Sequence, residues 1–214
     1  AAGWAVTAPY KPHALNAADV AAPRARRARA ANTLVLRPGR ILAENTDADG
    51  IVGALTTLGI DPAGRSVVVQ GTGGAARGAA VGLHLAGADV RLRGRDAGRT
   101  ADAAAQLELE PMAPDARAPA HAVLVNATPL GSSADDTLPF SPSEVTSASA
   151  VVEMVYGERP TELESLAHGR GIVTVSGREV LAHQAFAQFA AFTGMVPPRN
   201  AMRIALGLST PRDE

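Results

Sequence analysis

The chain has 214 residues, with 20 Lys and Arg against 21 Asp and Glu, so its formal net charge at pH 7 is −1. This near-zero charge and an aromatic content of 3% argue against a nucleic-acid binder, which needs a basic surface and stacking rings. The absence of Cys excludes disulfides, thiolate metal sites and a cysteine nucleophile. The length predicts one or two domains. Because no apolar run reaches the length of a membrane span and residues 1–7 lack the blocks of a signal peptide, we expect a cytoplasmic protein.

The region before residue 66 predicts three strands and a helix. Residues 4–8 are a strand-like run. Residues 33–37 and 40–43 are predicted to form a hairpin, because the Pro-Gly dipeptide between them is a turn signal. Residues 47–58 are predicted to form a helix, because apolar side chains recur there at helical spacing. These apolar residues are Ile51, Val52, Leu55 and Leu58.

The middle of the chain alternates between strands and helices, which is typical of βαβ units around a parallel sheet. The predicted strands are 66–70, 89–93, 122–126, 150–155 and 171–175. The predicted helices are 74–85, 96–107 and 161–168, followed by two more at 179–192 and 200–208. Residues 132–149, rich in Ser, Asp and Pro, are predicted to be an exposed loop. The fold class is therefore α/β, with a doubly wound parallel sheet over residues 66–176.

A glycine-rich turn joins the strand 66–70 to the helix 74–85. Its sequence, Gly71-Thr-Gly-Gly-Ala-Ala76, fits the dinucleotide-binding pattern G-x-G-x-x-[GA], which requires a strand before it and a helix after it. Gly71 permits the tight turn, Gly73 lets the backbone approach a pyrophosphate, and the helix N-terminus offers free amides to the anion. The turn predicts a dinucleotide site, and the alternative is a merely structural βα connection.

The residues around the next strand distinguish NADP from NAD. NAD sites usually carry an acidic residue about 20 positions further on, which binds the ribose 2′-hydroxyl. Here Asp96 is the only nearby acid, and the region is basic. The arginines are Arg91, Arg93, Arg95 and Arg99. Because guanidinium groups bind a 2′-phosphate through charge-assisted hydrogen bonds, the pattern favours NADP. A solvated basic rim is the alternative.

Several short motifs follow one another along the chain. They are Val6-Thr-Ala-Pro-Tyr-Lys11, Ala31-Asn-Thr33, Asn45-Thr-Asp47, the glycine turn, Asn126-Ala-Thr128, Met154-Val-Tyr156, and Gly177 with His183-Gln184. Together they resemble the shikimate dehydrogenase family, whose V-T-x-P-x-K, V-N-T, N-T-D, G-x-G-G-A, N-A-T, M-x-Y and H-Q signatures have the same order. The resemblance covers essentially the whole chain, and several ordered motifs are far more specific than a glycine turn alone.

The resemblance implies reversible reduction of 3-dehydroshikimate to shikimate with NADPH. Lys11 matches the catalytic lysine that exchanges a proton with the reacting substrate oxygen, and Asp47 matches its carboxylate partner. The implied substrate-binding residues are Thr7, Lys11, Asn32, Asp47, Tyr156 and Gln184. The implied cofactor-binding residues are Gly71, Thr72, Gly73, Gly74, Ala75, Arg95, Arg99, Met154 and Gly177.

Apart from the resemblance, these residues have ordinary explanations. Lys11 alone would be a solvated loop lysine, Asp47 could begin a helix, and Asn32 could satisfy the backbone of a turn. The chemistry nevertheless suits Lys11, since hydride transfer to a ketone builds negative charge on oxygen and needs a positioned proton donor. His183 is expected to pack or face solvent, and the spacing of the five His residues predicts no metal site.

The chain departs from the family's pattern at several positions. Gly94 and Asp96 stand where the N-R-T run has Asn and Thr, Glu153 replaces the common Asp before M-x-Y, and Val180 replaces a Met that often lies against the nicotinamide. Family members also carry a longer N-terminal region, with a Ser-x-Ser element that binds the substrate carboxylate. We therefore expect an incomplete substrate domain, and a chain that binds NADP but binds shikimate weakly or not at all.

The predicted organisation has three parts: 1–46 as a partial substrate-binding domain, 47–177 as a Rossmann-like NADP-binding domain, and 178–214 as helices that return to the substrate domain. The predicted partner is a small-molecule substrate, and neither a nucleic acid nor a membrane is predicted as a partner. A homodimer is the oligomeric state left open. Two alternatives to shikimate dehydrogenase activity remain. One is a non-catalytic NADP-binding relative, and the other is a dehydrogenase acting on quinate or an aminated analogue.

Overall fold

The computed structural model describes residues 2–133 and 137–210, and it arranges them as two β-sheets with helices packed around them. The strands are β1 (Gly3–Ala5), β2 (Val20–Ala21), β3 (Thr33–Arg37), β4 (Arg40–Glu44), β5 (Ser66–Gln70), β6 (Asp89–Arg93), β7 (Glu110–Met112), β8 (Val123–Asn126), β9 (Ala150–Glu153) and β10 (Val173–Val175). The helices are α1 (Lys11–Asn16), α2 (Pro23–Ala28), α3 (Asp47–Thr57), α4 (Gly74–Leu85), α5 (Ala97–Leu107), α6 (Pro142–Ser147), α7 (Glu162–His168), α8 (Gly177–Thr193) and α9 (Arg199–Ala205).

The first sheet has the strand order β1-β3-β4-β2. β3 is antiparallel to both β1 and β4, and the short β2 runs parallel to β4. The predicted hairpin is confirmed, and Gly39 at its turn has a φ of +74°, a conformation that glycine adopts without a steric penalty. A small cluster of buried apolar side chains lies in this sheet and its helices: Ala14, Ala31, Leu34 and Ala43.

The second sheet confirms the doubly wound prediction. Its strands are all parallel, in the order β10-β9-β8-β5-β6-β7. Val67 and Val69 of β5 belong to the apolar cluster that includes α3, α4 and α5, whereas Val68 belongs to the cluster that includes α6 and α7. Because successive side chains of a strand point to opposite faces, helices cover both faces of this sheet.

Some elements differ from the sequence predictions. The sheet has a strand that was not predicted, β7, whose three residues include Pro111 and show no alternation. The predicted exposed loop 132–149 contains α6, and Phe140 before it is only 1% exposed. Residues 134–136 of that loop lie outside the described residues. The predicted strand 150–155 ends at Glu153, because the Val155 amide donates to the Glu153 side chain instead of extending the ladder.

Further unpredicted elements lie in the first sheet's region, where α1, β2 and α2 connect the β1 segment to β3. Both helices have a Pro in their first turn, a position where the missing N–H costs nothing. None of the described helices is both long enough and apolar enough to cross a membrane.

Candidate active site

A buried ion pair joins the N-terminal residues of two helices. Lys11 begins α1 and Asp47 begins α3, and their side chains meet with Lys11 Nζ 2.6 Å from Asp47 Oδ2. The two residues are only 7% and 2% exposed. Buried charges are tolerated when they are paired and hydrogen-bonded, and both conditions hold here. The structure therefore brings together the two residues that the motifs predicted as catalytic.

Two amide side chains complete the environment of the Asp47 carboxylate. Asn32 Nδ2 and Gln184 Nε2 both donate to Asp47 Oδ1, at 3.1 Å and 2.9 Å. Burial raises the pKa of Asp47 above its ordinary value, although the Lys11 ammonium and the Asn32 amide oppose the rise. Since an ammonium has three donors and Asp47 takes one of them, Lys11 retains N–H groups for a substrate oxygen.

Asn32 is itself held by neighbours that the sequence interpretation did not single out. Its Oδ1 accepts hydrogen bonds from the Thr46 amide at 2.8 Å and from Thr33 Oγ1 at 2.9 Å. Gln188 Nε2 donates to Thr33 Oγ1 at 3.1 Å. The signal for the two threonines was present, because each stands beside a predicted site residue in the A-N-T and N-T-D motifs.

Glycines of α4 allow its N-terminal half to lie directly against this polar cluster. A β-carbon on Gly74 would lie 2.9 Å from Lys11 Cβ, and one on Gly78 would lie 2.5 Å from Asn45 Oδ1 and 2.9 Å from Asp47 Cβ. Larger residues at these positions would push α4 away from the ion pair. The glycine turn and the candidate catalytic pair are therefore neighbours, and Gly78, four residues after Gly74, is a contributor that the sequence interpretation missed.

The glycine turn fits a dinucleotide pyrophosphate. Gly71 has a φ of +129°, its amide donates to the Arg93 carbonyl at 2.8 Å, and a β-carbon there would lie 2.8 Å from the Ala127 carbonyl oxygen. A β-carbon on Gly73 would meet no atom within 4 Å, so the turn presents an open backbone surface. Within the described residues no side chain caps α4, which leaves the amides of its first turn to an anion.

The predicted arginine cluster divides into buried and exposed members. Arg93 is buried, with its Nη1 2.6 Å from Glu144 Oε1 and its Nε 2.7 Å from Gln70 Oε1, so it belongs to the core and cannot serve the cofactor. Burial alone would raise the pKa of Glu144, but hydrogen bonds from Ala118, Arg93 and Ser141 outweigh it and hold the pKa at about 2. Arg91 lies 3.5 Å from Asp89.

Arg95 and Arg99 are exposed and, among the described residues, make no ion pair. The nearby departures from the family pattern have local structural reasons. Asp96 caps α5 by accepting the Arg99 amide at 2.9 Å. A β-carbon on Gly94 would lie 2.7 Å from Thr100 Oγ1, because that hydroxyl occupies the space of a side chain.

The structure does not place every predicted ligand beside the ion pair. Thr7 and Tyr156 are exposed, Tyr156 by 58%, and neither hydrogen-bonds the cluster within the described residues. Met154 is half-buried against the core, and Gly177 is buried where a β-carbon would collide with the Val155 carbonyl. His183 packs as expected, with Nε2 3.0 Å from Thr57 Oγ1.

The composition holds one further signal that the sequence interpretation overlooked. Lys11 is the only lysine among the 20 Lys and Arg residues of the chain. Arginine supplies every other fixed positive charge, but a guanidinium does not give up its proton in proteins, whereas an ammonium can. A single lysine at the buried ion pair therefore favours proton transfer over simple charge.

Across residues 2–133 and 137–210, no group of three or more His, Asp or Glu side chains is arranged to hold a metal ion.

Comparison with known sequences identifies relatives over nearly the whole chain. The model of the Shikimate 5'-dehydrogenase C-terminal domain matches residues 177–206. The shikimate dehydrogenase (NADP(+)) of Acidiphilium cryptum (strain JF-5) is 39% identical over 199 residues, which span 92% of this chain and 72% of that protein.

Comparison with solved structures finds the same arrangement of elements. Shikimate 5-dehydrogenase from Thermus thermophilus, solved in complex with NADP(H) and shikimate, has a TM-score of 0.84 and 31% identity, covering 96% of this chain and 78% of that one. The ligand-free 5-ketofructose reductase of Gluconobacter sp. strain CHM43 has a TM-score of 0.85 and 28% identity, covering 96% and 78%.

Proposed function

The chain belongs to the shikimate dehydrogenase family, and from that premise we propose that Lys11 and Asp47 form its catalytic centre. It is an NADP-dependent oxidoreductase that interconverts 3-dehydroshikimate and shikimate. The observation that carries the proposed centre is the buried ion pair, 2.6 Å long, which lies against the first turns of the helix that follows the glycine turn.

Lys11 acts as the proton donor in the reduction. NADPH, when bound, supplies the hydride that reduces the substrate ketone. As negative charge develops on the ketone oxygen, the Lys11 ammonium donates a proton to it, and in the reverse direction the amine accepts the proton of the hydroxyl. Positioned general acids of this kind typically contribute roughly 10²–10⁴-fold to the rate.

Asp47 orients Lys11 through their ion pair. Its Oδ2 contacts Lys11 while its Oδ1 is held by the amides of Asn32 and Gln184, so the carboxylate cannot rotate without breaking several hydrogen bonds. Each amide nitrogen has a second N–H, and within the described residues the Gln184 carbonyl oxygen has no partner, so these groups can bind the hydroxyls of a substrate. Thr7 and Tyr156 are proposed as further substrate ligands, and the motif match is what supports them.

The residues of the glycine turn would hold the pyrophosphate of NADP. Its open backbone at Gly73 and the uncapped amides of α4 suit an anion. The exposed guanidinium groups of Arg95 and Arg99 would bind the 2′-phosphate. The remaining proposed contacts are Thr72, Gly74, Ala75, Met154 and Gly177.

We further propose the division into residues 1–46, 47–177 and 178–214. It is supported by the segregation of strands, since the first sheet uses residues 3–44 and the second uses residues 66–175. Gln184 supports the return of the C-terminal helices, because it reaches Asp47 from α8. A cytoplasmic location and a homodimer also stay proposals, and sedimentation of the purified chain tests the second.

Two other functions can be distinguished from this one by experiment. The similar protein from Gluconobacter is named for 5-ketofructose, so the fold by itself does not fix the ketone. A chain that binds NADP without turning over shikimate would be the non-catalytic relative, and one that prefers quinate or an aminated analogue would be the other.

The reaction itself separates these possibilities. We expect the purified 214-residue chain to reduce NADP when shikimate is added, and to do so less with quinate or with NAD. NADPH absorbance measures turnover, and calorimetric titration of shikimate into the NADP-saturated chain measures its binding. Binding of NADP without turnover of either substrate would contradict the proposed function.

A further inference from the structure

Glu153, the last residue of β9, has a completely buried carboxylate, with 0% exposure. Its Oε1 accepts hydrogen bonds from Asn126 Nδ2 at 2.8 Å and from the Val155 amide at 2.9 Å. Its Oε2 accepts from Thr161 Oγ1 at 3.0 Å. Within the described residues, Glu153 has no ion pair with a cation, unlike Asp47. Burying a carboxylate without a counter-ion costs folding free energy, and the packing of neighbouring side chains gives no reason for that cost.

The donors come from three separate segments near the carboxyl ends of β8 and β9. Asn126 ends β8 and organises the turn after it, donating to the Leu130 carbonyl at 2.8 Å and accepting from Thr128 Oγ1 at 2.7 Å. Thr161 is the residue that caps α7, in a reciprocal pair with Glu164. The carboxylate therefore links the N-A-T turn, the segment after β9 and the start of α7.

The segment that Glu153 anchors carries proposed ligands of the reaction. Met154 follows it directly, and the Met154 amide donates to the Asn126 carbonyl at 3.0 Å. Val155 packs against the buried Gly177, where no β-carbon would fit, and Tyr156 is exposed beyond it. A small shift of this segment would move a cofactor contact and a substrate contact together.

We propose that Glu153 is a positioning residue: by accepting donors from three segments, its carboxylate sets the place of Met154 toward the cofactor and of Tyr156 toward the substrate. The inference rests on the proposed function for the roles of those two residues. Glu153 itself reaches neither ligand, since it is enclosed by protein, and it acts through the segment 154–156.

The protonation of Glu153 changes near neutral pH. Burial raises its pKa to about 7, more than the hydrogen bonds from Val155, Asn126 and Thr161 lower it. The buried Glu164 on α7 adds to the rise. In the described part of the turn after β8, residues 127–133, and in the strand β10 there is no charged side chain. The other charged or titratable side chains on the segment after β9, on α7 and at the start of α8 are Tyr156, Glu158, Arg159, Glu162, His168, Arg178 and Glu179.

Protonation weakens the anchor, because a neutral carboxyl accepts hydrogen bonds less strongly than a carboxylate and one of its oxygens becomes a donor. Above about pH 8 the carboxylate predominates and accepts all three donors, whereas below about pH 6 the acid form predominates. We therefore expect the KM for shikimate to rise as the pH falls through neutrality, with kcat changing less.

Substitutions at one position separate the charge from the size of the side chain. Glu153→Gln keeps the size but turns an N–H group toward donors, and should raise the KM for shikimate and the dissociation constant for NADPH roughly 10-fold or more. Glu153→Asp keeps the charge and should recover part of the loss. The matched control is Glu162→Gln, because Glu162 is exposed and follows Thr161 at the start of α7. This variant should leave both constants unchanged.

A measurement independent of activity keeps the inference separate from the proposed function. The NMR chemical shift of the Val155 amide should titrate with a midpoint near pH 7 in the unaltered chain, because its acceptor is Glu153. It should be flat in Glu153→Gln. Titration without shikimate turnover would support the anchor and overturn the proposed reaction. A Val155 amide shift that is the same in the unaltered chain and in Glu153→Gln, or wild-type NADPH and shikimate constants in both Glu153 variants, would overturn the inference.

Discussion

The ion-pair cluster (Lys11, Asp47 and Asn32) and the arginine rim (Arg95 and Arg99) differ in how their charges are paired before a ligand binds. In the cluster, Lys11, Asp47 and Asn32 are buried and already hydrogen-bonded to one another. At the rim, Arg95 and Arg99 are exposed and have no ion pair within the described residues. A buried reacting centre must satisfy its charges inside the fold, whereas an exposed phosphate-binding edge can leave its charges to water until the ligand arrives.

Two of the buried acids, Asp47 and Glu153, differ in the partners that surround them. Asp47 has a cation against it, and Glu153 has only neutral donors. Glu153 has its pKa raised from 4.5 to about 7, so between those values the folded chain binds more protons than the unfolded chain. This group therefore makes the free energy of unfolding fall as the pH rises through that window, by on the order of 3 kcal/mol.

The largest effect is expected inside the ion-pair cluster. Lys11→Ala should lower turnover by roughly 10²–10⁴-fold, because the proton donor is lost, while NADP affinity changes little. Steady-state kinetics and an NADP titration measure the two quantities. Lys11→Arg is the sharper variant, since it keeps the charge beside Asp47 but a guanidinium does not release a proton. Turnover like that of the unaltered chain in either variant would remove Lys11 from the mechanism.

An intermediate effect is expected at the rim. Arg95→Ala or Arg99→Ala should weaken NADP binding by about 1.5–3 kcal/mol, the range for a hydrogen bond to a charged group, and should leave NAD binding nearly unchanged. Calorimetric titration of both cofactors measures the difference, and Arg91→Ala on the neighbouring strand is the control. If Arg95→Ala weakened both cofactors equally, or neither, the arginines would be a solvated rim and the NADP contact would be wrong.

The smallest effect is expected from the acid beside the rim. Asp96→Ala removes the cap of α5 and should lower the free energy of unfolding by about 1 kcal/mol, without weakening NADP binding. Urea denaturation measures the change, and Asp102→Ala, exposed on the same helix, is the control. Unchanged stability together with altered NADP binding would show that Asp96 belongs to the cofactor site instead.

Local pattern was enough to predict the central elements. Residues 66–70, 74–85 and 89–93 form the strands and helix that were expected, because β-branched runs and a glycine turn are strong short-range signals. The short β7 and the helix α6 were missed, since three residues with a proline or six residues with polar ends carry no periodicity. The capping box of Ser141 and Glu144, with Pro142 after the cap, was a readable signal for α6, whereas the packing of Phe140 is a tertiary contact that the sequence does not reveal.

For the site, the sequence by itself determined which residue types occur in which motif, and hence Lys11, Asp47, Asn32 and Gln184 as candidates. Only the tertiary structure decided that Lys11, Asn32 and Gln184 all reach Asp47, Gln184 across 137 positions. It also decided that Arg93 is buried with Glu144 while Arg95, two residues on, stays in solvent. The physical reason is that burial and pairing are properties of how distant elements pack, and a one-dimensional pattern specifies faces and turns but not the partners across them.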